Sequence, residues 1–442
     1  MTLHHDILTQ LPWPNGIGKR SSVGPLTGSR ESLLLAELSK EIPLIVVIAA
    51  TTATARTLES EIPFYAEDNL EVLVVPDWET LPYDHFSPHE DIISERLTAL
   101  SRLPTLERGI VIIPMTTLMH RTPPQHYVAS NVLTLTEGQA LNTRQLVTNL
   151  SLSGYRAVDT VMEHGEYATR GSLIDLYPMG SDLPLRVDVF DDEIESMRSF
   201  DPESQRTVSR LPTINVLPAR EFPMDRAGIE LFKLNWYRTF DGDPEQASVF
   251  NEVSAGRVPS GAEYYLPLFF GETQTLFDYL PKNVPLVMTG AHYDAANRFW
   301  SEVIDRYDNY GIDPRRPLLP PATLFVPTED LYHQIGQYSA LELKAESDAP
   351  VNLRLSTSVP DVILPNYEGE LRGIDRLQAL LQAHQDRLLL SVETAGRREI
   401  ILESLAKADI HTPVFSRFDD FLNSEEPFGL IVSDLVLSLI HI

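Results

Sequence analysis

Three short runs near the start of the chain are apolar without any polar alternation: PLIVVIAA (43–50), LEVLVVP (70–76) and GIVIIP (109–114). Strands of a parallel sheet have this pattern, because helices cover both of their faces. Between the second and third runs, Ser87-Pro88-His89-Glu90 predicts a capping box that starts a helix, with Pro88 in its first position. The pattern therefore predicts that residues 1–132 begin a doubly wound α/β domain with a parallel sheet.

The pattern changes after about residue 130. A strand at 132–136, a helix that starts at Asn142 and ends at Gly154, and several short alternating strands predict an α+β domain at 133–213. Helical patterns return at 214–345, including a helix that starts at Asp225, so the α+β domain is predicted to be inserted into the first one. The weakly periodic stretch 346–370 predicts a linker. Residues 371–442 alternate strands and helices again, which predicts a small further α/β domain, and their apolar end, SLIHI, suggests a truncated protein.

Composition narrows the function. The 442 residues are 43% hydrophobic and 22% charged, without a long uninterrupted apolar stretch, so a globular protein without a membrane span is expected. Sixty-three acidic against 35 basic residues give a net charge of −28, which disfavours tight DNA binding by this chain alone. The absence of Cys excludes disulfides, cysteine nucleophiles and Cys-containing zinc sites. The first twenty residues lack the apolar core of a secretory signal, so a cytoplasmic location is expected.

A nucleotide-binding α/β domain would carry G-x-x-x-x-G-K-[ST] between its first strand and helix, and the chain contains no such match. The segment from Gly24 through Gly28 and Ser29 to Ser32 has the shape of a phosphate loop that leads into a helix. Glu31, however, stands where the phosphate-binding Lys would be, and its carboxylate would repel a polyphosphate. The segment is therefore interpreted as a degenerate phosphate loop, kept as a turn and a helix cap.

Two acidic motifs are interpreted as structural. Asp191-Asp192-Glu193 lies where a hairpin turn is expected, and such carboxylates are commonly solvated. Glu163-His164-Gly165-Glu166 has no second His at helical spacing, so no metal site is expected there. No catalytic residue is assigned.

The strand before that turn is more informative. With period-2 alternation, Leu185, Val187 and Val189 face one side, and Arg186, Asp188 and Phe190 face the other. An aromatic ring and an Arg on the nominally polar face are typical of a protein interface, and Arg170, in a nearby turn, is placed in the same patch. The alternative is that Phe190 packs against a helix and Arg186 pairs with Asp188.

Four motifs resemble the amino-terminal part of the bacterial transcription-repair coupling factors. They are WETLPYDHFSPHEDIISERL (78–97), MEHGEYATRGSLIDLYPMGSDLP (162–184), FDDEIESMRSFD (190–201) and PRRPLLPP (314–321). The resemblance covers most of residues 20–345 and is weaker at 346–442. In that family this region is similar to the excision-repair protein UvrB with a decayed ATP site, which implies a degenerate P-loop NTPase-like sheet.

The resemblance also implies a function and partners. The family's second domain resembles the surface of UvrB that binds UvrA, and its contact positions fall on Arg170, Arg186 and Phe190. As interface anchors, all three are expected to tolerate Ala with little effect on folding. The family's RNA polymerase-binding domain and its motor, which uses ATP and Mg²⁺ to move along duplex DNA, are expected carboxy-terminal to this chain. A carboxy-terminal domain of the intact protein is thought to mask the UvrA-binding patch.

Two other functions stay open on the sequence alone. One is a nucleotide-binding enzyme domain with a nonstandard phosphate loop, and the other is a structural module that only restrains the motor. UvrB itself is the nearest competing family, but it requires an intact phosphate loop and a damage-probing hairpin, neither of which is found here. With the resemblance, UvrA recruitment without a bound cofactor is the favoured interpretation.

Overall fold

The computed structural model describes residues 11, 13–14, 16–26, 28–66, 69–345, 350–354, 381, 387–433 and 435. Most of the predicted linker at 346–370 and the apolar end SLIHI lie outside the described residues. Among the described residues, no helix is both long and apolar enough to span a membrane.

The strands, in chain order, are β1 (Arg20–Gly24), β2 (Leu44–Ala49), β3 (Val72–Val74), β4 (Gly109–Pro114), β5 (Arg121–Thr122), β6 (Leu133–Thr136), β7 (Arg156–Ala157), β8 (Glu166–Arg170), β9 (Leu173–Leu176), β10 (Leu185–Phe190), β11 (Glu193–Phe200), β12 (Thr207–Arg210), β13 (Thr213–Val216), β14 (Gln274–Thr275), β15 (Leu286–Thr289), β16 (Ala340–Leu343), β17 (Leu353–Arg354), β18 (Leu388–Val392), β19 (Val414–Phe415) and β20 (Phe428–Val432).

The α-helices, in chain order, are α1 (Arg30–Glu41), α2 (Thr52–Tyr65), α3 (Glu90–Arg102), α4 (Met115–Leu118), α5 (Gln125–Ser130), α6 (Thr143–Leu152), α7 (Arg226–Thr239), α8 (Ser248–Ser254), α9 (Leu276–Tyr279), α10 (His292–Tyr310), α11 (Pro321–Leu324), α12 (Thr328–Ile335), α13 (Ala395–Lys407) and α14 (Phe418–Asn423). Short 3₁₀ helices lie at Leu103–Thr105, Pro244–Gln246 and Ala262–Phe269.

The largest sheet has seven parallel strands in the order β17-β1-β16-β15-β2-β4-β3. Every residue of β2 and β4 is buried, as the uninterrupted apolar runs predicted. Along β2, Ile45 and Val47 belong to one hydrophobic core, which α1 and α2 cover, while Val46 and Ile48 belong to a second core on the opposite face. The α/β class and the doubly covered parallel sheet are confirmed. Strand β17 lies inside the stretch that the sequence predicts as a linker.

A second sheet is built from residues between the two parts of the first, in the order β12-β11-β10-β9-β8-β7. Its neighbouring strands are antiparallel, except for the parallel pair β7 and β8. One face packs on α6, whose Leu146 and Leu150 are buried together with Leu185 and Val187. Strands β6 and β13 pair with each other, so the two connections of this inserted unit lie side by side.

A buried ion pair ties the inserted unit to the large sheet. Arg96 of α3 donates from Nε to Oε1 of Glu221 at 2.6 Å, and neither side chain is exposed to solvent. The indole nitrogen of Trp78 donates to the same carboxylate at 3.3 Å. Glu221 lies five residues after the end of β13, so this pair holds the segment through which the chain returns from the inserted unit to the large domain.

Helix starts show where sequence reasoning succeeded and failed. Asn142 and Asp225 cap α6 and α7, accepting from the backbone N–H of Gln145 and Gly228. The capping box predicted at Ser87 is wrong, because α3 begins at Glu90 with His89 as its N-cap. The Ser87 hydroxyl donates instead to Glu263 at 2.7 Å.

The last described unit is a small parallel sheet in the order β18-β20-β19, with α13 and α14. Its Phe418 contacts the rings of Phe64 and Tyr65 at centroid distances of 5.5 and 5.0 Å. The small unit therefore packs on α2 of the large domain.

Candidate functional site

Strand β10 carries the patch predicted from the sequence, and its burial alternates as expected. Leu185, Val187 and Val189 are buried, whereas the intervening positions are more exposed. Phe190 is 71% exposed. The alternative in which Phe190 packs against a helix is therefore wrong.

Phe190 precedes the turn of the hairpin formed by β10 and β11, and it pairs with Glu193. Asp191 and Asp192 form the predicted turn, with φ angles of 52° and 58°. The preceding loop supports the turn, since the N–H of Leu141 donates to the carbonyl of Asp192 at 2.7 Å. An exposed ring is thus presented on a turn whose backbone is held in place.

Arg186 is held more firmly than the sequence suggests. Its Nε and Nη2 donate to the two carboxylate oxygens of Asp175 at 2.6 and 2.8 Å. Its guanidinium carbon lies 4.6 Å from the centroid of the Phe200 ring, and a further contact reaches Gln205 at 3.4 Å. Only 20% of the Arg186 side chain is exposed. Arg186 therefore pairs with Asp175 and not with Asp188, and one edge of its guanidinium is taken by that carboxylate.

Arg170 ends β8 and is exposed. Its guanidinium donates to the carbonyl of Asp159 at 2.5 Å and to the Thr160 hydroxyl at 3.1 Å. Neither acceptor is charged, so the cation stays available to a partner.

Strand register relates the three predicted residues. Arg170 pairs with Leu173, and Leu173 pairs with Asp188, which places Arg170 and Asp188 in one row across β8, β9 and β10. Arg186 and Phe190 lie two positions to either side of Asp188 on β10. The patch therefore extends for about 13 Å along this strand, at roughly 3.3 Å per residue. Below, these three residues are called the β10 patch: Arg170, Arg186 and Phe190.

Sequence reasoning missed the residues that position Arg186. Asp175 and Phe200 come from the strands on either side of β10, and Asp188 is 3.8 Å from Arg198. Antiparallel pairing of β9 with β10 would have placed Asp175 opposite Arg186. Eight residues connect the two strands, however, so no short turn sets that register.

The predicted phosphate loop lies at the start of α1. Gly24 ends β1, where an added Cβ would lie 2.5 Å from the carbonyl oxygen of Lys344, and Gly28 has a φ of +59°. Ser29 is the N-cap of α1, but its hydroxyl makes no capping bond and donates instead to Glu61 Oε1 at 3.1 Å. Burial, with a smaller contribution from the charge of Glu61, raises the pKa of Glu31 from 4.5 to about 7. A carboxylate in this environment does not supply the cation that a phosphate site needs.

The Glu163–Glu166 motif serves structural contacts in the inserted unit. Glu166 accepts from Arg156 at 2.7 Å and from the backbone N–H of Met162 and Glu163. His164 lies 2.6 Å from an oxygen of Asp91 in α3. Within the part of the chain that the structure describes, no group of three or more His, Asp or Glu side chains is placed to hold a metal ion.

Comparisons with known proteins match both the inserted unit and the last unit. Residues 133–222 match the family model described as the UvrB interaction domain. Residues 380–441 match the model described as the D3 domain of MFD. The β10 patch lies within the first match.

Several curated proteins are similar over most of the chain, and the first two are both called transcription-repair-coupling factor. The protein of Escherichia coli is 42% identical over 413 residues, which is 92% of this chain and 36% of that protein. That of Haemophilus influenzae is 38% identical over 421 residues, 93% of this chain and 36% of that protein. A Bacillus subtilis protein of the same name is 27% identical over 285 residues, which is 61% of this chain and 24% of the relative. The chain thus spans about a third of the length of the first two.

Proposed function

From the premise that this chain is homologous to the bacterial transcription-repair coupling factors over 92% of its length, we propose that it recruits UvrA in transcription-coupled nucleotide excision repair. The family resemblance seen in the sequence motifs is confirmed by these matches. The β10 patch is proposed as the surface that UvrA contacts.

The observation that carries this proposal is the exposure of Phe190 at a supported hairpin turn. Exposed aromatic and Arg side chains are typical anchors of protein interfaces. An aromatic ring buries a large area with few rotamers to immobilise. Arg170 adds an exposed cation, and Arg186 adds a fixed one. Their position within the match to the UvrB interaction domain supports the same assignment.

The proposed roles of the intact protein come from the family resemblance. It would displace a stalled RNA polymerase with a motor that uses ATP and Mg²⁺ on duplex DNA, and this chain would then deliver the lesion site to UvrA. We assign no catalytic residue to this chain and propose that it requires no cofactor. A carboxy-terminal domain of the intact protein would mask the β10 patch until the motor engages.

The experiment is a titration of UvrA against the purified chain and single variants, by calorimetry or biolayer interferometry. Phe190→Ala and Arg170→Ala should each weaken binding by about 1–3 kcal/mol, as expected for anchor residues. Phe86→Ala is a matched control, because Phe86 is 70% exposed but belongs to the large domain. Arg144→Ala is the control for Arg170→Ala, since Arg144 is exposed on α6 of the same inserted unit.

The two other candidate functions give different results. If the chain only restrains the motor, the native chain should bind UvrA no better than the variants Phe190→Ala and Arg170→Ala do. A nucleotide-binding domain would bind Mg-ATP with micromolar affinity in calorimetry. Equal UvrA affinities for Phe190→Ala, Arg170→Ala and the two controls would overturn the recruitment proposal.

A further inference from the structure

A buried carboxyl group from a neighbouring helix lies at the start of α1. Glu61 belongs to the neighbouring helix α2 and is only 2% exposed. Its Oε1 accepts from the Ser29 hydroxyl at 3.1 Å, and its Oε2 accepts from the Ser32 hydroxyl at 2.7 Å. Ser29 is the N-cap of α1, and Ser32 lies in its first turn.

The start of a helix attracts anions, because its first N–H groups have no partners within the helix and the helix dipole is positive there. Phosphate loops use this property to bind phosphate. Here the hydroxyls of Ser29 and Ser32, at the N-terminal end of α1, both donate to a carboxylate of the same chain. That carboxylate therefore supplies the negative charge that a phosphate would bring.

A second carboxyl group, that of Glu31, also lies at the start of α1. Glu31 lies between the two serines in sequence, in the first turn of α1, and it is partly buried. Burial, with a smaller contribution from the charge of Glu61, raises the pKa of Glu31 to about 7. A phosphate entering this site would meet the carboxyl groups of Glu31 and Glu61, and the loop sequence from Gly24 to Ser32 contains no lysine.

The site is also covered. Tyr65, one turn after Glu61 on α2, is 9% exposed, and the ring of Phe418 from the small carboxy-terminal unit lies against it at a centroid distance of 5.0 Å. Burial raises the pKa of the Tyr65 hydroxyl to about 12, although a hydrogen bond with Ser29 opposes that rise. The hydroxyl therefore stays neutral at physiological pH.

We propose that the Glu61 carboxylate permanently occupies the anion position of the degenerate phosphate loop and closes it to phosphate groups. The loss of the loop lysine alone would leave an empty, weak anion site. With Glu61 bound to Ser29 and Ser32, the site is instead filled from within. This inference concerns the large domain and does not depend on UvrA binding.

The test measures binding of inorganic phosphate to the full chain, by calorimetry and thermal shift at constant ionic strength set with NaCl. The variants are Glu31→Lys alone, Glu31→Lys with Glu61→Ala, and Glu31→Lys with Glu61→Gln. The last variant keeps the volume of the Glu61 side chain, so the test can still be made if the alanine variant does not fold. Glu59→Ala is the matched control, because Glu59 is an exposed carboxylate on the same helix.

The native chain, Glu59→Ala and Glu31→Lys alone should show no saturable phosphate binding, because Glu61 still fills the site. The double variants should bind phosphate saturably, with a Kd at least about tenfold below the weakest value that the titration can measure, a difference of about 1.4 kcal/mol. Restoring the lysine would suffice if the site were merely empty, so tight binding by Glu31→Lys alone would overturn the proposal. Folded double variants that bind no better than Glu31→Lys alone would overturn it as well.

Discussion

Asp175 on β9 and Arg186 on β10 form a bidentate ion pair, with N–O distances of 2.6 and 2.8 Å. Asp175 is only 4% exposed, so its carboxylate has little contact with water. The Arg186 guanidinium offsets most of the free energy that this loss of hydration costs. Arg186 thus has a proposed role as an interface residue and a second role as the counter-ion of a buried carboxylate. Arg170 and Phe190 have only the first role, and the expectation that all three tolerate Ala equally is revised for Arg186.

The first prediction follows from this pair. Arg186→Ala should lower the free energy of unfolding by about 1–3 kcal/mol, because it leaves the Asp175 carboxylate buried without a partner. Urea unfolding of Arg186→Ala, Asp175→Ala and the double variant forms a double-mutant cycle, in which the double variant should lose less than the sum of the single variants. Arg170→Ala is the control and should change stability by no more than about 0.5 kcal/mol. Strictly additive single changes would contradict the coupling.

The sequence predicted the elements that depend on local pattern. The buried runs of β2 and β4, the alternation of β10, and the helix caps Asn142 and Asp225 were all found because neighbouring positions determine them. Ser87 failed because Glu263, 176 positions away in sequence, accepts from its hydroxyl. Glu61 was missed for the same reason, since its contacts with Ser29 and Ser32 join two helices. Distant contacts of this kind leave no periodic signal in a single sequence.

The second prediction concerns the hairpin turn at Phe190. Asp191 and Asp192 both have positive φ, the geometry of a type I′ turn, in which Asn-Gly is preferred. Replacing them with Asp191→Asn and Asp192→Gly should raise the free energy of unfolding by about 0.5–1 kcal/mol, because the left-handed conformation costs Asn and Gly less. Urea unfolding of the double variant measures the gain.

Its control is Glu195→Gln, which removes an exposed charge from the same hairpin without changing the turn. An equal gain in this control would mean that charge, and not backbone conformation, is responsible. A loss of stability in the turn variant would contradict the type I′ assignment.

The third prediction is a pH dependence that arises at Glu31. Its pKa is raised from 4.5 to about 7 by burial and by Glu61, so folding favours the protonated form. The resulting stabilisation is fully present below about pH 4.5 and is lost as the pH rises through about 7. Glu31→Gln should therefore be more stable than the native chain at pH 8, by up to about 3 kcal/mol, and about equally stable near pH 4.5.

Urea unfolding of both proteins between pH 4.5 and about 8.5 tests this expectation. Other carboxyls with raised pKa values, such as Glu263, contribute to both curves, so the difference between the curves isolates Glu31. Glu41→Gln, an exposed substitution at the end of the same helix, should give a curve parallel to that of the native chain. Parallel curves for Glu31→Gln as well would show that Glu31 ionises normally in the folded protein.

The fourth prediction concerns DNA. The net charge of −28 opposes approach to a phosphate backbone, and the structure shows that several cations of the inserted sheet already have acidic partners. Arg186 is bound by Asp175, Arg198 lies 3.8 Å from Asp188, and Arg210 pairs with Glu137. We therefore expect duplex DNA to bind at near-physiological salt with a Kd on the order of 10⁻⁴ M or weaker.

Fluorescence anisotropy with a labelled duplex measures this affinity, and a parallel titration at low salt reports whatever electrostatic attraction exists. A submicromolar Kd that weakens steeply with salt would mean that local cations outweigh the overall charge.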